Sequence, residues 1–159
     1  MIQRIQSIWL LGAIICSGLL FLMPFFQLIP ADGVQTSTYS VTVLKTVAMK
    51  TNHQQVIMLN QPLLLLNSVL IILSLITIFS YQKRIRQVQY CNLLLLLFVG
   101  LILLIIYSWK QVASLEPFQL NIMPGWGSAL VVSSMVCVFM ARTYILKDEA
   151  LVRSADRLR

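Results

Sequence analysis

Four long apolar runs, residues 8–29, 62–81, 93–109 and 128–146, occupy most of this chain. The hydrocarbon core of a bilayer is about 30 Å thick, and a helix rises about 1.5 Å per residue, so roughly 20 apolar residues cross it. The first two runs meet that length. The third meets it once Cys91 and Asn92 extend it to 91–109, and the fourth is long enough while carrying more small and polar residues. Charged residues make up 11% of the chain, against about a quarter in soluble domains, so an ordinary hydrated surface is not available. The fold class that follows is an all-α membrane protein. It is a four-transmembrane-helix bundle forming a single domain over residues 1–159. The first run ends without a small-residue cleavage site and reads as a retained helix.

The net charge of +7 does not point to nucleic acid, because the basic residues sit beside the apolar runs rather than along one face with interleaved aromatics. Arg4 precedes the first run. Lys83, Arg84 and Arg86 separate the second from the third, and Arg142, Lys147, Arg153, Arg157 and Arg159 lie at or after the end of the fourth. Four crossings put these three regions on one side, leaving Lys45, Lys50 and Lys110 on the other. The positive-inside rule then predicts cytoplasmic N and C termini in a multi-pass membrane protein. Trp9, Tyr81, Tyr90 and Tyr144 fall near the inner helix ends, and Tyr107, Trp109 and Trp126 near the outer ends, as interfacial anchors do.

The outer loops are residues 30–61 and 110–127. In the first, Tyr39, Val41 and Val43 alternate with Thr38, Ser40 and Thr42, a strand pattern. A strand over 36–46, a turn at residues 51–53 and a second strand over 55–59 predict a small β-hairpin in this extracytoplasmic loop. An isolated hairpin is marginal in water, so it needs support from helix ends or from the second loop. That loop is apolar for a loop, and Pro117, Pro124, Gly125 and Gly127 read as helix breakers; it is expected to lie on the membrane face or pair with the first. Pro24 predicts a kink in the first helix. The tail, 147–159, reads as a continuation of the fourth helix or an interfacial helix.

Helix four carries Ala129, Ser133, Cys137 and Ala141 at four-residue steps, and helix one offers Gly12 with Cys16 and Ala13 with Ser17. Small residues on one face let helix backbones approach closely in lipid, so helices one and four are predicted to pack together. Asn67, the most polar side chain well inside a run, reads as a hydrogen-bonding link between helices.

Chemistry is sparse. The centres of the runs lack Asp, Glu, Lys, Arg and His, the residues that mark ion or substrate paths in a membrane. Cys16, Cys91 and Cys137 show no CxxC or Cys/His spacing and read as packing residues, and His53 is alone. No catalytic, cofactor or metal site is predicted. An interfacial enzyme would have to be built from Asp32, His53 and Glu116, which belong to different loops.

The start, MIQRIQSIWLL, and the end, KDEALVRSADRLR, together with four apolar runs and a long first outer loop, resemble a Bacteroidetes family of small four-helix inner-membrane proteins classed as a domain of unknown function. The resemblance covers essentially the whole chain and implies an inner-membrane location, but no activity and no functional residues. The layout of helices and loops is also similar to that of claudins. The Trp-x-Gly-Leu-Trp and paired-cysteine signature of the claudin loop is absent here, so only the layout is shared. The predicted role is a non-enzymatic scaffold, accessory subunit or envelope-organising factor acting through the bilayer and through a membrane-protein partner or a second copy. A small oligomeric channel or lipid/solute carrier is the alternative.

Overall fold

The computed structural model describes residues 3–30, 35–40, 43–48, 54–59, 61–80, 84–115 and 120–157, with side chains in 5–26, 61–80, 85–108, 110, 125–152 and 154. Along the chain run α1 (Gln3–Leu19), β1 (Pro24–Pro30), β2 (Gln35–Ser40), β3 (Val43–Ala48), β4 (Gln54–Leu59), α2 (Gln61–Phe79), α3 (Arg84–Leu115), β5 (Leu120–Pro124) and α4 (Trp126–Arg157).

The apolar run 8–29 is not one helix. α1 stops at Leu19, and the run ends as a strand. The backbone N–H of Leu20 still reaches the Cys16 carbonyl at 3.2 Å, but Phe21 and Leu22 donate to Gly18 and Leu19 at 3.2 and 3.0 Å, a tightening from four-residue to three-residue steps. Pro24 follows. It lacks an N–H, and its ring drives the residue before it out of helical geometry. The expected kink at Pro24 is therefore a helix stop, and Pro24 opens β1.

The expected hairpin is replaced by a larger structure. The strands form one antiparallel sheet in the order β4-β3-β2-β1-β5. The single strand expected over residues 36–46 is two strands, β2 and β3, paired from Gln35↔Ala48 to Tyr39↔Leu44. β3 pairs in turn with β4, from Val43↔Leu59 to Val47↔Gln54; the expected turn at residues 51–53 lies outside the described residues. β1 lies between β2 and β5, with Phe26↔Tyr39 on one side and Phe26↔Pro124 on the other. Two strands alone would be marginal; the stretch read as helix supplies the central partner that joins the two outer segments. The all-α class therefore describes the bundle and omits the sheet.

α3 and α4 overrun their apolar runs. At 32 residues each, they are about 48 Å long. Residues 84–90 and 110–115 of α3 are rich in Arg, Lys and Gln, which favour helix, and α4 continues through the tail to Arg157.

The helices pack in a ring: α1 beside α2 and α4, and α3 beside α2 and α4. Each turns one narrow stripe inward. In α2 it is Leu63, Asn67, Leu70, Ser74 and Thr77; in α3, Gln87, Cys91, Leu94, Phe98 and Leu101. α1 contributes Gln6, Leu10, Ala13 and Ser17, continued by Leu20 in the turn that follows it, and α4 contributes Val131, Ser134, Val138, Ala141 and Ile145. Steps of three and four alternate in every stripe, the spacing of side chains that interlock in left-handed bundles. The outward face of α2, in contrast, is Leu65, Val69, Ile72, Ile76 and Phe79, all exposed. Such a girdle has no place in water. α2, α3 and α4 are long and apolar enough to cross a membrane; α1, at 17 residues, is shorter.

Candidate functional site

The closest helix seam is α1 against α4. A Cβ added to Gly12 would lie 3.5 Å from Cys137 Sγ, ordinary contact distance. One turn on, Ser133 Oγ is 3.5 Å from Cys16 Sγ and 2.9 Å from the Leu130 carbonyl. Ala13, Ser17 and Ala141 are buried, whereas Ala129 is exposed and lines an open apolar groove of about 340 Å³ with Leu19, Met23, Trp126, Leu130 and Ser133. The three cysteines are free thiols, with Cys91 in the core.

Asn67 crosses from α2 to α1: its Nδ2 donates to the Ser17 carbonyl at 3.0 Å. The bundle interior is more polar than the apolar runs suggest. Gln87 Nε2 donates to the Thr77 carbonyl at 3.3 Å, linking α3 to α2. The hydroxyls of Ser74, Thr77 and Ser134 donate to their own helices at Leu70, Leu73 and Val131. Asn67 Oδ1 and Gln6 Nε2 are buried without a partner among the described residues. Sequence reasoning found Asn67 and Ser17 but missed Gln6, Thr77, Gln87 and Ser134. The signal was present as the alternating three- and four-residue step that places them in register with the core leucines.

The sheet is locked to the bundle at one joint. Gly125 donates its N–H to the Phe25 carbonyl at 2.8 Å. A Cβ at Gly125 or Gly127 would fall 2.3 or 2.7 Å from the Pro24 carbonyl oxygen. Gly127 is therefore not a helix breaker: it lies in the first turn of α4 and lets β1 pass close.

At the far end of the bundle, Arg142 on α4 donates from Nε to Asn92 Oδ1 on α3 at 2.6 Å, and Lys147 Nζ stands 5.8 Å from the centre of the Tyr144 ring. Trp9, Tyr90 and Tyr144 are half-buried near this end, Trp9 against the core. Trp126 and Tyr107, near the sheet, are exposed. Tyr81 and the Trp109 side chain lie outside the described residues, as do Asp32, His53 and Glu116. Among the described residues no three His, Cys, Asp or Glu side chains gather where a metal could be held.

These features define an integral membrane protein: a four-helix bundle with a sheet packed on one end. The chain belongs to the family described as a domain of unknown function, DUF4293, whose model it matches over residues 2–158. No curated protein matches it.

Proposed function

We propose that the protein is a non-enzymatic scaffold or accessory subunit of the bacterial inner membrane. It crosses four times with both termini in the cytoplasm and presents its sheet on the opposite face. The observation that carries this reading is the joint between β1, Gly125 and α4, which holds the sheet on the bundle as a rigid platform whose outermost strands are β4 and β5. The basic residues support the orientation: Arg86, Arg142 and Lys147 lie toward the end away from the sheet, the side that positive residues favour. The exposed apolar residues of α1, among them Ile8, Leu11 and Ile15, support a fourth crossing, which the turn at residues 20–23, with Leu22 exposed, lengthens toward the sheet. An oligomeric channel or carrier would need a polar outer stripe to face a shared axis, and the outward stripe of α2 is aliphatic and aromatic.

The test is site-specific photocrosslinking in native membranes. A photoreactive residue at Gln55, in edge strand β4, is expected to trap one defined protein, while the same residue at Leu96, on the outward face of α3, traps lipid. Alkaline phosphatase fused after Leu59 is expected to be active, and after Arg157 inactive. Absence of any protein adduct from β4 and β5 positions overturns the scaffold reading; active fusions at both points overturn the topology.

A further inference from the structure

Arg142 is a charge in an unusual place. Trp126 opens α4 beside the sheet, and Arg142 lies 16 residues further on, about 24 Å along the helix axis. Across about 30 Å of hydrocarbon, that depth is some 6 Å short of the opposite interface. A free arginine there would extend toward the headgroups. This one instead reaches sideways, its Nε donating to Asn92 Oδ1 at 2.6 Å. The nearest carboxylates on α4, Asp148 and Glu149, stand six and seven residues away, about 9–10 Å along the axis.

That bond fixes what the pair offers. With Nε taken, Arg142 keeps the four N–H donors of its Nη atoms, and Asn92 keeps its two amide N–H donors beside an Oδ1 already turned to the guanidinium. Asn92 is exposed on the outer surface of α3, between Ile85 and Leu96, both exposed apolar residues. The result is a positive, donor-rich patch at the inner edge of an apolar surface. Its complement is an anion with several acceptor oxygens that arrives attached to apolar chains.

We infer that Arg142 and Asn92 form a seat for the phosphodiester of one anionic phospholipid, in the leaflet away from the sheet. The guanidinium binds the phosphate oxygens in a charge-assisted, two-pronged contact, Asn92 Nδ2 adds a neutral donor, and the acyl chains lie along the apolar surface of α3 and α4.

The experiment is native mass spectrometry of the full chain in neutral detergent, titrated separately with phosphatidylglycerol, with diacylglycerol of the same chains, and with inorganic phosphate. One phosphatidylglycerol is expected to be retained per chain, at least about tenfold more tightly than diacylglycerol, a ratio in keeping with a charge-assisted bond. Arg142→Gln and Asn92→Leu are each expected to reduce that preference by about tenfold or more, Arg142→Lys by less, and Arg86→Gln not at all; circular dichroism checks that each variant is folded. Equal retention of diacylglycerol overturns the proposal. So does displacement of the lipid by millimolar inorganic phosphate, which would make this a site for free anions. Loss in Arg142→Gln with full retention in Asn92→Leu would reduce the seat to a lone arginine reaching for headgroups, and also overturns it.

Discussion

Gly125 donates its backbone N–H to the carbonyl of Phe25 at 2.8 Å, so the residue just before α4 and the start of β1 are tied together across a hundred positions of sequence. The neighbouring Pro24 carbonyl oxygen stands 2.3 Å from where a Cβ at residue 125 would be, and 2.7 Å from one at residue 127. The obstacle is backbone on both sides, with no flexible side chain to move away. Gly125→Ala and Gly127→Ala are therefore expected to cost about 1–3 kcal/mol each, as overpacking does. Gly18 and Gly100 have nothing within 4 Å of an added Cβ, and their alanine variants are expected to be neutral or stabilising, since alanine favours helix. Thermal unfolding in detergent measures all four; equal behaviour of the two pairs contradicts the joint.

Asn67 sits fully buried with its Nδ2 bonded to Ser17 and its Oδ1 unpaired among the described residues. Asn67→Ala removes one interhelical hydrogen bond and is expected to cost about 1–2 kcal/mol. Asn67→Asp keeps the shape but replaces the amide with a carboxyl group that must be held protonated in the core, so it is expected to cost more than the alanine change. Reversible unfolding by sodium dodecyl sulfate in mixed micelles gives the order. An aspartate variant as stable as wild type would show that water or headgroups reach this level.

The α1–α4 seam predicts a covalent link. A Cβ at residue 12 lies 3.5 Å from Cys137 Sγ, within the range from which a disulfide closes after small adjustment. With Cys16 and Cys91 changed to serine, Gly12→Cys is expected to form a bridge to Cys137 under copper phenanthroline. The product should be a faster-migrating monomer on non-reducing gels. A dimer band instead would place the seam between chains.

Phe98 is fully buried in the bundle, whereas Leu96, two residues earlier, is 67% exposed on the outer face. Phe98→Ala leaves a cavity that neighbouring backbones cannot fill and is expected to cost about 3–5 kcal/mol. Leu96→Ala is expected to change stability by less than about 0.5 kcal/mol, since the surface it touches is replaced by lipid. Similar losses at both positions would mean that α3 is rotated from the orientation described.

The apolar runs at 62–81, 91–109 and 128–146 were readable as helices because length and hydropathy alone specify a membrane crossing. The pairing of small residues at Gly12, Cys16, Ser133 and Cys137 was readable for a similar reason, as four-residue steps lie on one helix face whatever surrounds them. The run 8–29 was misread in its second half. Phe25, Phe26, Leu28 and Ile29 are apolar enough for a helix and suited to a strand, and only Pro24 marked the boundary between the two. The Arg142–Asn92 contact left no local trace, since its members lie 50 residues apart and neither constrains the other along the chain.

Hydropathy acts residue by residue, and a helix forms its hydrogen bonds within itself, so the solvent of this protein and the existence of its helices follow from the order of amino acids alone. A strand takes its hydrogen bonds from elsewhere. Whether residues 24–30 lengthened a helix or joined a ladder depended on β2 and β5 being at hand to pair with them. The five-stranded sheet, its joint at Gly125 and the polar pair on α3 and α4 were accordingly settled by tertiary contacts, because each needs groups that only the folded chain brings together.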